Sequence, residues 1–271
     1  MKSRSRIATS VFTLAFLSIT SPAFADSVSV VVTAEHISGY ERTLFKHWID
    51  ADGDGCDTRK EVLIAEAVKP PTIGSKCALI GGSWYSVYEG ATVTNSSSLD
   101  IDHFVPLAEA WRSGAWAWTA QQRQDFANDL DEPRALIAVS ASKNRSKGDS
   151  DPAQWLPDLD RCTYIQSWVN IKIRYALTFD PSEMKVIKGF ISECKNFSIT
   201  DKPLPGFAET IDPVNPTFER VELTFGAATP APTVTTAAKK RIVGGAPCTT
   251  PKSTAFNSKG EAFTCKWSSK S

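Results

Sequence analysis

Apolar positions along the chain fall into short runs of changing period. Residues 41–49 have helical spacing, with Leu44, Phe45 and Trp48 on one side. Residues 59–68 predict a second helix, stopped by Pro70 and Pro71. A turn at Gly81-Gly82 leads into a predicted strand over 83–88, and residues 99–105 alternate as a strand does. Helices are predicted at 107–111 and 120–128, ahead of a strand at 136–140. Lys143 opens a further helix, and 164–175 and 182–194 are both amphipathic. Strands and helices mix without a βαβ rhythm, which predicts an α+β fold.

The ends read differently. Lys2, Arg4 and Arg6 precede an apolar run over 7–19 and the small-x-small pattern Ala23-Phe24-Ala25, so residues 1–25 read as a signal peptide and the mature chain is expected to be secreted. The apolar run is shorter than the roughly 20 residues a spanning helix needs, and no membrane span is expected in the mature protein. Residues 226–238 are rich in Ala, Thr and Pro and carry no charge, as an extended linker does. The chain therefore divides into a body over 26–225, the linker, and a small module over 239–271.

Composition is that of a globular protein, 42% hydrophobic and 22% charged. The formal net charge is zero, but its distribution is uneven: the last segment holds seven bases against Glu261, leaving the body acidic. A basic tail is suited to nucleic acid or an anionic cell wall, and equally to mere solvation. The even count of six cysteines, with no Cys-x-x-Cys pair, predicts disulfides rather than a zinc site. Sequential pairing (Cys56 with Cys77, Cys162 with Cys194, Cys248 with Cys265) is preferred among the 15 arrangements six cysteines allow.

Two stretches carry candidate chemistry. In Asp100-Ile101-Asp102-His103, the two acids share one face of a strand and His103 stands where the strand should end. A carboxylate is a hard ligand for Mg²⁺ or Mn²⁺, and an imidazole can take a proton from water. An Asp-His pair by itself is as readily incidental. Downstream, Ser140 to Pro152 is a polar, cationic turn around Asn144, Arg145 and Lys147 that could serve a metal and a phosphate, or simply be a solvated helix start. Separately, Asp50, Asp52, Asp54, Gly55 and Glu61 have the spacing of a calcium-binding EF-hand loop. Against calcium stand Asp57, where an apolar residue usually docks the loop, and Cys56. His47 is expected to pack, and His36 has no evident partner.

Asp102-His103-Phe104-Val105-Pro106 followed by Asn144-Arg145-Ser146-Lys147 resembles the Asp-His-x-x-Pro … Asn-x-x-Lys pattern of HNH endonucleases, the ββα-metal or His-Me finger superfamily. The fuller resemblance is to secreted bacterial HNH proteins with a GmrSD C-terminal-type domain. It adds Asp52 to Arg59, Pro106 to Trp111, Asn144 to Asp149 and Trp155 to Pro157, and covers roughly residues 40–194. The resemblance implies a ββα-metal core. His103 would be the general base, and Asp102 and Asn144 would hold one divalent metal, Mg²⁺ or Mn²⁺. Lys147 and Arg145 would clamp phosphate, with Arg59 facing it too, and Asp100 would support the ligands from behind. The substrate would be DNA, with RNA as an alternative, cut with low sequence preference. The middle asparagine of the motif is missing before the second strand. Asn128 lies nearby in a different setting, so another group, such as a backbone carbonyl, would have to orient His103. Trp111, Trp116 and Trp118 are expected to pack the insert between the strands, with a base-stacking platform as the other possibility. The rival from another class is a non-catalytic calcium-binding surface protein.

Overall fold

The computed structural model describes residues 26–225 and two three-residue strands beyond them, Thr254–Phe256 and Ala262–Thr264. The signal peptide, the linker and the Cys248–Cys265 pairing all fall outside the described residues.

The order is β1 (Asp26–Thr33), α1 (Thr58–Glu66), β2 (Thr72–Ile73), β3 (Leu79–Ile80), β4 (Trp84–Ser86), β5 (Ala91–Val93), β6 (Leu99–His103), α2 (Leu107–Arg112), α3 (Ala120–Ala127), β7 (Leu136–Ser140), α4 (Ala141–Lys147), α5 (Arg161–Arg174), α6 (Pro181–Glu193) and β8 (Phe218–Phe225), with β9 and β10 the two short strands beyond. Each strand pairs antiparallel with one other: β1 with β8, β2 with β3, β4 with β5, β6 with β7, and β9 with β10. Among the described residues, helices mix with small two-stranded antiparallel sheets, and the class is α+β.

The β6–β7 hairpin separates two apolar clusters. Its register sets Ile101 opposite Ala138 and Asp102 opposite Ile137. One face therefore carries Leu99, Ile101, Leu136 and Ala138, which pack on Val62 and Leu63 of α1 and on Trp84. Trp84 Nε1 donates to the Leu63 carbonyl at 2.6 Å, so the indole enters this cluster without leaving its polar group unmatched. The other face carries Asp100 and Asp102 and meets α4. Beyond it lies the larger cluster built from the β1–β8 ribbon, α2, α3, α5 and α6.

Local signals explain most element ends. Asp57 caps α1 by accepting from Lys60 N at 3.0 Å. Ser140 caps α4, which starts two residues before Lys143 and ends at Gly148, whose φ of 58° lies in the left-handed region. The helix expected over 41–49 does not form. A 3₁₀ turn covers Arg42–Leu44, and Trp48 has φ 58°, which breaks any helix. Phe45 is buried in the larger cluster and Trp48 packs against the smaller, so their spacing reflects two cores rather than one helical face. The β1–β8 ribbon carries no counterpart in the sequence expectations, although Val221, Leu223 and Phe225 alternate inward along β8.

Two disulfides have the expected pairing. Cys56–Cys77 joins the entry to α1 to the loop before β3, and Cys162–Cys194 ties the start of α5 to the end of α6. Among the described residues no helix is long and apolar enough to cross a membrane.

α2, α5 and α6 meet at a buried charge cluster. Lys172 Nζ lies 2.9 Å from Glu109 Oε1 and 2.7 Å from Glu183 Oε2, all three being essentially unexposed. Arg112 adds a second cation on Glu109, at 2.9 Å, while the cation on Glu183 is Lys172. Burial acts to raise Glu109, but Lys172 and Arg112 overcome it and hold that acid below its usual range. Burial pushes Glu183 up to about 8, against the pull of Lys172 and with help from Glu109. Glu183 is therefore the acid of the cluster that takes up a proton most readily. A raised carboxyl contributes stability that is full below the ordinary value of 4.5 and lost as pH rises through about 8. Glu183→Gln turns an amide NH₂ toward a donor, because Oε1 accepts from Trp168 Nε1 and Oε2 from Lys172 Nζ and Asp180 N; it is expected to cost about 1–3 kcal/mol and to remove that decline. Lys172→Met removes the ammonium that Glu109 and Glu183 share and is expected to cost about 3–5 kcal/mol. Urea unfolding of the three proteins across this pH range measures both.

Candidate active site

β6 and α4 face each other through two rungs. Asp100 and Asp102 stand two residues apart on one strand face, while Asn144 and Lys147 stand three apart on the helix. In the outer rung, Asn144 Nδ2 donates to Asp100 Oδ2 at 3.3 Å, and Arg145 Nε lies 3.5 Å from the same oxygen. This rung is open to solvent: the Asp100 side chain is 31% exposed and Arg145 76%.

The inner rung is buried. Lys147 Nζ lies 2.5 Å from Asp102 Oδ2 and also donates to the carbonyls of Phe104 at 2.8 Å and His103 at 3.3 Å. The Tyr88 hydroxyl donates to the same Asp102 oxygen. The rings of Phe104, Tyr88 and Trp168 surround the ammonium at 5.5, 5.8 and 6.0 Å. Burial raises Asp102 and lowers Lys147, and each partner's charge opposes the shift in the other.

His103 belongs to the other side of the hairpin. It pairs with Leu136 in the register, and its ring lies 5.3 Å from that of Trp48 and 6.2 Å from that of His47. Its Nε2 is 3.0 Å from the Ala127 carbonyl. Burial lowers the imidazole to about 3, with the Ala127 bond acting the other way. The ring is therefore neutral at ordinary pH. A carbonyl only accepts, so the proton sits on Nε2 and Nδ1 is the basic nitrogen.

Asn128, at the end of α3, holds that carbonyl in place. Its Oδ1 accepts from Ile49 N at 3.2 Å and from the Thr58 hydroxyl at 2.8 Å, and its Nδ2 donates to the carbonyls of Lys46 and Gln124, both at 2.8 Å. It pins α3 to the segment carrying His47 and Trp48. The sequence named Asn128 but gave no sign of this role, because its partners lie up to 82 residues away.

Several expected placements change. Lys147 does not point to solvent where a phosphate could meet it; it is 1% exposed and spent on Asp102. Arg59 is not directed at a phosphate either: its guanidinium donates to the carbonyls of Ser96 and Leu99, fixing the approach to β6. Asn144 meets Asp100 rather than Asp102, and the His103 ring faces away from both acids. Arg145 remains available. Trp111 and Trp118 are buried, and Trp116 stacks on His36 at 4.8 Å, so the three pack the fold and form no exposed platform. His36 gains a partner in Asp212 at 2.7 Å, and His47 Nδ1 lies 2.8 Å from the Phe45 carbonyl, a packing role.

In the 50–61 loop, ligand atoms of Asp50, Asp52 and Asp54 lie within 4.8 Å of one another, as do those of Asp54, Cys56 and Glu61. Cys56 is committed to its disulfide. Asp50 and Asp54 accept hydrogen bonds from amides of their own loop, at 2.9 Å from Gly53 N and 2.7 Å from Cys56 N. Asp57 serves as the cap of α1.

The hairpin-plus-helix unit with its acid pair, histidine and asparagine lies inside residues 65–184, which match the family model for the C-terminal domain of GmrSD restriction endonucleases. That match supports an HNH-like nuclease family for this part of the chain. The chain is also 45% identical, over 158 residues, to an uncharacterized secreted protein of the fungus Arthroderma benhamiae, an alignment covering 58% of this chain and 76% of the relative. The chain belongs to the same family as that secreted protein. No solved structure matches it.

The inner rung yields a test of what Lys147 does. Removing one partner of a buried pair leaves the other charge uncompensated, so Lys147→Met is expected to cost about 3–5 kcal/mol in urea unfolding. Adding Asp102→Asn should recover much of that loss. An unchanged stability with weakened nucleic-acid binding would instead mark Lys147 as a phosphate ligand.

Proposed function

We propose that this chain is a secreted, metal-dependent HNH endonuclease with a ββα-metal core formed by β6, β7 and α4, hydrolysing phosphodiester bonds of DNA with little sequence preference. The observation that carries the reading is a histidine kept neutral and oriented by a backbone carbonyl at the end of the strand that presents two acids to an asparagine-bearing helix. The nuclease-family match over residues 65–184 supports it, and the disulfides and the secreted relative support export.

Carboxylate and amide oxygens are hard donors, so the set Asp102 and Asn144, with Asp100 alongside, fits one Mg²⁺ or Mn²⁺. Asp102 would offer the oxygen that Lys147 and Tyr88 leave free. Bound there, the ion would stabilise charge on the scissile phosphate and on the departing 3′ oxygen. His103 would take the proton of the attacking water at Nδ1 while Nε2 stays bound to Ala127. Lys147 would fix the Asp102 carboxylate. Arg145, exposed beside Asp100, would contact the phosphate backbone, as suits binding without base readout. The expected products carry a 5′-phosphate and a 3′-hydroxyl. RNA is an alternative substrate. Calcium at Asp50, Asp52, Asp54 and Glu61 is the basis of the rival, non-catalytic reading, favoured by the close approach of the first three acids.

Incubating the purified chain with plasmid and Mg²⁺ or Mn²⁺ tests the proposal. Cleavage abolished by EDTA is expected, with His103→Ala slowing it about 10²–10⁴-fold and Asn144→Ala also impairing it. An intact plasmid in every lane, with the protein folded, would overturn the reading and favour the rival.

A further inference from the structure

A second group of acids lies away from the hairpin. Glu35 follows β1, Asp151 follows α4, and Asp180 caps α6, yet carboxylate oxygens of all three lie within 4.8 Å of one another. Together they line a cavity of about 570 Å³ with Gln154 and Ser182. Asp151 is only 3% exposed.

The existing contacts leave this group short of positive charge. Asp180 Oδ1 caps α6 through Ser182 N at 2.7 Å and Glu183 N at 3.2 Å, but its Oδ2 is fully buried and has no hydrogen-bond partner among the described residues. Asp151 Oδ1 accepts from Ala153 N at 2.5 Å and Gln154 N at 3.2 Å. The cation in contact with the group is Arg112, 2.9 Å from Glu35 and shared with Glu109 and Asp149. Lys172 is taken by Glu109 and Glu183. Three carboxylates drawn together without matching cations are a costly arrangement, and a buried acceptor without a donor adds to it.

We propose that Glu35, Asp151 and Asp180 form a calcium site that ties β1, the segment after α4 and α6 together. The ligands are hard oxygens, and a spread within 4.8 Å is no wider than two Ca–O bonds of about 2.4 Å each. The open cavity leaves room for water to complete the coordination shell. The orphan Oδ2 of Asp180 would supply one ligand. The site is independent of the nuclease reading: it would brace the body whether or not DNA is cleaved.

Calcium titration of the purified full chain, by calorimetry and thermal melting, tests it. Asp180→Asn and Asp151→Asn keep an oxygen for their backbone bonds, and Asn caps a helix as well as Asp does. Each is expected to weaken one calcium site at least tenfold and to remove its thermal stabilisation, while Asp52→Asn leaves that site unchanged. In EDTA both variants should melt at or above the wild type, because a repulsion has been relieved. Calcium binding and stabilisation unaltered in both variants, or no calcium bound by the wild type, would overturn the proposal.

Discussion

The buried contact between Lys147 and Asp102 joins the two halves of the candidate site. It fixes α4 on the polar face of β6 at one depth and in one rotation. Asn144, one turn earlier on the same helix, is thereby brought to Asp100, and the exposed Arg145 is left beside that acid. The ammonium also accounts for the carbonyls of His103 and Phe104, where the chain leaves the strand and would otherwise bury unmatched acceptors. An ion pair so desolvated gives little net stability over an apolar packing. Its effect is to set register: no sliding of helix against strand keeps all of these bonds.

On the opposite face the constraint is different in kind. His103 is surrounded by Trp48, His47 and the Ala127 carbonyl, and burial keeps it neutral. Its orientation depends on α3 ending where it does, which depends on the four bonds of Asn128. The two faces are thus positioned by separate networks, one ionic and one of neutral hydrogen bonds, meeting at the end of β6. The imidazole and the acids look to opposite sides of that strand in the structure. Their cooperation on one phosphate is the most demanding part of the proposed chemistry.

Much of this was legible in the sequence where the signals are local. The hairpin strand 136–140 has the bounds its pattern predicts, and α1, α5 and α6 begin and end near their caps and prolines. Asp102, His103 and Asn144 could be singled out by motif. Burial could not be read in the same way. Lys147 and Arg59 look like phosphate ligands as residue types, and only the packing of Tyr88, Phe104 and Trp168, or the carbonyls of Ser96 and Leu99, turns them inward. The β1–β8 ribbon has no local signal, because its strands are separated by nearly the whole body and pattern alone does not reveal a distant partner. The convergence of Glu35, Asp151 and Asp180 was invisible for the same reason.

Anomalous diffraction from crystals soaked in Mn²⁺ tests the central claim most directly, because it locates the ion without relying on activity. The account predicts a manganese peak in the gap between β6 and α4, in contact with the Asn144 side-chain oxygen and with Asp102. Manganese bound elsewhere on the chain, with that gap empty under conditions in which the protein cleaves DNA, would contradict it.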